Sequence, residues 1–248
     1  MTKPLGYILY EGPSMIDGQP IVVILTGIDG SSNRKTGSML QTYILRSDVH
    51  PIDAVRMGDD ESICGSCEHR PILARSTGKP PCYVEVGKGP SMVWQAYKRG
   101  RYTRLPIWQI ARLIAARVLR IGTYGDPAAA PIRVWQGLIV YVASWTGYSH
   151  QWRIIDAEWQ YLVMASVDSE VDRIDAKLAG WRTFRVSIGI DPQMGEISCF
   201  ASKESGARTT CIDCRLCKGT QIAAKDIVIA DHGLGHKRRV IAISTMGA

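Results

Sequence analysis

The sequence predicts an α/β protein with a parallel sheet of about six strand–helix units, best described as a partial (β/α)6 barrel, followed by a cysteine-rich, metal-binding segment. Three observations lead there. From residue 39 onward, short apolar runs alternate with longer amphipathic ones, the pattern of βαβ units. Polar motifs recur where those runs end, and in parallel α/β folds that edge carries function. Finally, seven cysteines fall into a group of three and a group of four.

Taken in order, residues 21–26 read as a buried strand, and Asp29-Gly30 marks a tight turn. Residues 39–46 read as the next strand, and the first cysteine group follows on a polar loop. Helices are expected at 90–100, with Pro90 near its start and Gly100 at its end, and at 106–116. The alternation then runs strand 118–122, helix 131–143, short strand 147–152, helical 155–159 and strand 161–167. Helix 170–179, strand 182–188 and, past the second cysteine group, strands 226–230 and 240–244 complete it. Three stretches result: an N-terminal strand and loop (1–38), an α/β core with the three-cysteine loop (39–190), and a cysteine-rich stretch with the final strands (191–248).

With 248 residues and 46% hydrophobic content the chain buries a sizeable core without disulfides. No apolar run reaches the roughly 20 residues of a membrane span, and residues 1–6 lack a signal-peptide core, so the expected compartment is the cytoplasm. Clustered thiols there favour metal over disulfides. The net charge of +7 is uneven, with Lys98, Arg99, Arg101 and Arg104 in one cluster and Lys237, Arg238 and Arg239 in another. Interleaved with Trp94, Tyr97 and Trp108, the first cluster fits either a single-stranded nucleic-acid surface or helices packed on a sheet. Packing is the more economical of the two.

Cys211, Cys214 and Cys217 are spaced to converge on one centre, and Cys199 can complete a set of four. Such a set suits [4Fe–4S] or zinc. Cys64, Cys67 and Cys82 have no fourth cysteine nearby. Either His69 completes a zinc site, or three thiolates hold a [4Fe–4S] cluster with one iron open to a ligand. At the strand ends, Gly125, Asp126, His150, Asp168 and Arg185 are candidates to line a pocket beside that group, and His232 is a weaker one. Residues 33–37 contain Lys-Thr but lack the flanking glycines of a phosphate loop, and Ser149-His150 lacks a nucleophile elbow.

Two resemblances follow. The segments around Asn33-Arg34-Lys35-Thr36-Gly37, Cys64-Gly65-Ser66-Cys67, Gly122-Thr123-Tyr124-Gly125-Asp126-Pro127 and Cys211 to Gly219 resemble phage- and prophage-encoded cysteine-motif proteins. This family supplies context but no activity. The order of parts is similar to that of radical S-adenosylmethionine enzymes. These have a three-cysteine loop after the first barrel strand, a glycine–acid turn after the second, and often a further four-cysteine cluster. The resemblance implies S-adenosylmethionine as cofactor, with Gly125 and Asp126 at its amino group; Asp126, His150, Asp168 and Arg185, by their place at the strand ends, are the expected catalytic-site residues. The spacing here, CxxC, a gap of 14 residues, then one cysteine, differs from the usual CxxxCxxC. A second reading stays open: a zinc-stabilised nucleic-acid-binding protein of phage replication or regulation, or a virion component with a structural metal centre. In these readings the partner is nucleic acid or another phage protein.

Overall fold

The computed structural model describes residues 4–31, 33–78 and 81–231. The chain opens with strands β1 (Tyr7–Pro13), β2 (Pro20–Thr26) and β3 (Leu40–Arg46). Four helices follow: α1 (Pro51–Met57), α2 (Glu61–Cys64), α3 (Pro71–Thr77) and α4 (Gly89–Lys98). A two-residue strand β4 (Thr103–Arg104) and helix α5 (Ile107–Leu113) lead to β5 (Val118–Tyr124). Then come α6 (Ile132–Ile139), β6 (Ser144–Thr146), β7 (Tyr148–Ser149), β8 (Met164–Val167), α7 (Glu170–Leu178) and β9 (Thr183–Ser187). The described chain closes with β10 (Glu196–Ser198), α8 (Cys211–Cys214) and β11 (Asp226–Ala230).

The strands form two sheets in the orders β4-β1-β2-β3-β5-β6 and β10-β11-β9-β8-β7. Gly147 alone separates β6 from β7, and its carbonyl accepts from the Met164 amide at 3.0 Å. One broken strand therefore serves both sheets, pairing with β5 through β6 and with β8 through β7. The strands β3, β5, β6/β7, β8, β9 and β11 follow one another as parallel neighbours, in sequence order. Hydrophobic patterning anticipated this part of the fold.

The expectation of strand–helix units throughout needs correcting in three places. β1 and β2 are antiparallel neighbours that extend the parallel run beyond β3, so the first sheet is mixed. The driving force is visible in β2, where Ile21 through Leu25 are fully buried and both sheet faces are covered. The crossover from β7 to β8 carries only a 3-10 turn, Ala157–Tyr161, with no α-helix. The crossover from β9 to β11 contains β10, which pairs with β11 at the outer edge. The supposed polar loop after β3 holds three short helices. Their punctuation is regular: Pro51 opens α1 and Gly58 closes it in the left-handed region, and Pro71 and Gly78 do the same for α3. Strand 240–244 and residues His232 and Lys237 to Arg239 lie outside the described residues. Among the described residues no helix is long and apolar enough to cross a membrane.

The main core gathers β2, β3, β5 and the buried face of α6, where Trp135 and Leu138 are fully enclosed. A smaller cluster, with Met164, Ile227, Ile229, Cys199 and Ala201, sits on the second sheet, and Cys211 and Cys217 pack against it. Helix α7 starts on a Ser169 cap that accepts from the Asp172 amide and has Glu170 and Asp172 in its first turn. This arrangement suits the helix dipole and places Asp168 at the end of β8.

Candidate metal and ligand cleft

The first cysteine group is held by a dense set of hydrogen bonds. Helix α2 ends at Cys64, and the Cys67 amide donates back to the Cys64 carbonyl at 3.2 Å. Gly65 between them has φ +54, and a Cβ there would fall 2.4 Å from the Gln151 side chain. Gln151 grips this turn: its Nε2 donates to the Cys64 carbonyl at 3.0 Å, and its Oε1 accepts from Ser66. From the other side the Arg70 guanidinium donates to the Gly65 carbonyl at 2.9 Å and to the Gly58 carbonyl at 2.7 Å. It also pairs with the buried Asp60. Cys82, separated from Cys67 by 14 residues, is brought back when its amide donates to the His69 carbonyl at 2.7 Å.

The thiols differ electrostatically. Burial pushes Cys64 well above the ordinary thiol range, and the neighbouring Cys67 adds to this. Burial raises Cys82 to about 11. For Cys67 the same burial is outweighed by His150, which hydrogen-bonds to it, and by His69, so its thiol lies below the ordinary value. Asp168 at the end of β8 backs both rings, at 2.7 Å from His69 Nε2 and 3.6 Å from His150 Nε2. Burial acts to raise the Asp168 carboxyl, but the two rings hold it well below the carboxylate range.

The Gly125-Asp126 turn follows β5, with Gly125 half-buried and Asp126 buried. Gly125 has φ +83, and a Cβ would fall 2.7 Å from the Ile44 Cβ and 2.9 Å from the Ile44 carbonyl oxygen. Gly125→Ala is therefore expected to combine left-handed strain with a push against β3, costing roughly 2 kcal/mol or more. A urea midpoint shift with unchanged slope measures it. Asp126 accepts from the Ala128 amide at 3.0 Å, the Ser149 hydroxyl at 2.8 Å and the His150 amide at 2.8 Å. Its own amide donates to the Ile63 carbonyl at 2.6 Å. Asp126 thus ties the three-cysteine loop to the end of β7. A carboxylate offers about four acceptor sites, and three of them are taken here.

The second cysteine group is anchored to the N-terminal loop, since the Cys211 amide donates to the Lys35 carbonyl and the Ile212 amide to the Thr36 carbonyl. On its far side the buried Arg182 guanidinium donates to four carbonyls: Leu216, Gly219, Ala224 and Lys225, at 2.6 to 3.1 Å. The Cys217 carbonyl accepts from Gly147. Cys199 follows β10. Burial raises Cys211 and Cys214, and lifts Cys217 to about 12.

All seven cysteines line one cleft of about 190 Å³. Its walls also include Asp126, His69 and His150 near the first group, and Tyr148, Phe184 and Arg120 between the groups. The structure thus brings together Cys64, Cys67, Cys82, Gly125, Asp126 and His150, with Asp168 behind the histidines. Arg185 is placed elsewhere. Strand alternation turns Phe184 and Val186 into the cleft, while Arg185 pairs with buried Glu196 at 2.6 Å and donates to the Asp191 carbonyl. His232 lies outside the described residues.

Sequence reasoning passed over Arg120, Tyr148 and Arg182. Arg120 had a signal: it interrupts an apolar strand with a cation, and its Nε is buried without a hydrogen-bond partner while Nη2 donates to the Tyr83 hydroxyl. Much of the aromatic–basic segment is used internally. The Trp94 indole donates to the Arg46 carbonyl, Lys98 lies over the Trp94 ring, and Glu11 takes both the Tyr97 hydroxyl and Arg104.

Comparison with protein-family models, with curated proteins and with solved structures found no match.

Proposed function

We propose that this is an iron–sulfur protein with two unequal centres, one open and one closed, facing a shared ligand cleft on an open, partial-barrel α/β scaffold. One observation carries the reading: cysteines far apart in sequence all line a single cleft. Cys64, Cys67 and Cys82 would hold the open centre, and Cys199, Cys211, Cys214 and Cys217 the closed one. When bound, a [4Fe–4S] cluster with three protein thiolates offers its fourth iron to a small-molecule donor.

A tetrahedral zinc at about 2.3 Å from each sulfur needs them about 3.8 Å apart, and among the described residues no three cysteine sulfurs lie within 4.8 Å of one another. The cleft's own residues prepare it for a ligand. Gln151 and Arg70 fix the turn that presents Cys64 and Cys67, and Asp126 retains one acceptor site for an amino group such as that of S-adenosylmethionine. Tyr148 and Phe184, with ring centroids 4.2 Å apart, offer an apolar wall. The internal bonding of Trp94, Tyr97 and Arg104 lends no support to a nucleic-acid surface there.

Anaerobic purification followed by iron, sulfide and zinc analysis tests the proposal. The expected result is a brown protein with about four iron and four sulfide per occupied centre. Stoichiometric zinc without sulfide sinks it.

A further inference from the structure

His69, His150 and Asp168 stand apart from the thiolates as a possible donor set in their own right. Among the described residues they are the one group of three ligand-type side chains whose donor atoms lie within 4.8 Å of one another. They come from three separate elements: the loop after Cys67, the end of β7 and the end of β8. Both imidazoles turn Nε2 toward the same carboxylate, His69 to Oδ1 at 2.7 Å and His150 to Oδ2 at 3.6 Å. The longer of these separations exceeds a hydrogen bond, and His150 Nε2 is buried with no hydrogen-bond partner.

We propose that His69, His150 and Asp168 form a mononuclear binding site for a divalent transition-metal ion, separate from the cysteine centres and opening on the same cleft. Two ligand atoms each about 2.1 Å from one ion stand roughly 3.0–3.6 Å apart, which matches the His150–Asp168 gap; the His69 contact needs to open by only a few tenths of an ångström. Two imidazoles and one carboxylate suit zinc, iron(II), cobalt or manganese. Three protein donors leave open coordination positions, and because His69 and His150 line the cleft, those positions face it. The site needs no cluster and so stands independently of the iron–sulfur reading.

Manganese(II) is a suitable probe because it prefers oxygen and nitrogen donors to thiolates. The full chain, purified without oxygen and freed of loosely held ions with a chelator, is titrated with Mn²⁺ while the EPR signal of the free ion is followed. One Mn²⁺ is expected to bind per chain. Asp168→Asn and His69→Gln should each weaken binding at least about tenfold. His69→Gln alters a loop position and guards against Asp168→Asn failing to fold. A free-ion signal that rises as in buffer alone would mean an ion-paired cluster only and overturn the proposal, as would undiminished binding in both variants. Protein that lacks sulfide yet binds Mn²⁺ through these residues would uphold this site while the cluster reading fell.

Discussion

Replacing Arg182 with methionine is expected to destabilise the protein by roughly 3 kcal/mol or more and to release the four-cysteine segment. Its guanidinium is only 7% exposed and donates to four carbonyls spread over residues 216–225. Burial itself works against the charge and lowers its proton affinity. The cation is retained because it serves four carbonyls at once, at the end of a loop with little regular structure. Methionine fills much of the space but donates nothing, and a buried carbonyl left unpaired, as at Gly219, costs about 1–3 kcal/mol. For a chain of this size, 3 kcal/mol lowers Tm by roughly 6–12 °C. Lysine should recover only part of the loss, because a point cation cannot serve the fork of carbonyls. A thermal melt of the two variants with metal analysis of each provides the check. A methionine variant with wild-type Tm and full metal content would refute the role.

How legible this was in the sequence depends on the range of the interactions. The parallel strands could be read because each is a short apolar run, and their sequential neighbour order follows from right-handed crossovers. β1 escaped because its segment mixes Tyr7, Ile8 and Leu9 with Glu11, Gly12 and Pro13, a pattern that reads as an edge. Helices α1 and α3 carried proline starts and glycine ends of the kind recognised at residues 90–100, but each is only seven residues long and lies beside the cysteines, which dominated the reading. The cysteines announced themselves by spacing. That their two groups share a cleft did not, because it depends on the loop before β3 hydrogen-bonding to Cys211 and Ile212 across the whole fold. Arg70 and Arg182 look in sequence like surface cations and Arg185 like a pocket residue, and only packing turns them into buried struts.

Arg70 leads to the second large effect. The three-cysteine turn stands on a buried ion pair, with Arg70 4% and Asp60 2% exposed. The Asp60 Oδ1 accepts from both Nε and Nη2 of Arg70, at 3.1 and 3.0 Å, and burial raises the Asp60 carboxyl despite this partner. Arg70→Met would leave the buried Asp60 carboxylate without its cation, at a cost of roughly 3–5 kcal/mol. The same change frees the carbonyls of Gly58 and Gly65, so the turn carrying Cys64 and Cys67 loses its support from that side. Metal at the first group should fall with stability, while the second group, held by Arg182 and the loop at Lys35 and Thr36, should keep its own. Adding Asp60→Leu removes the stranded charge and should recover much of the stability. It should not recover the metal, because the two carbonyls remain without their donor. A double-mutant cycle read by urea unfolding and by metal content separates the two consequences. If both recover together, Arg70 acts on the centre only through global stability; if stability returns alone, it positions the thiolates.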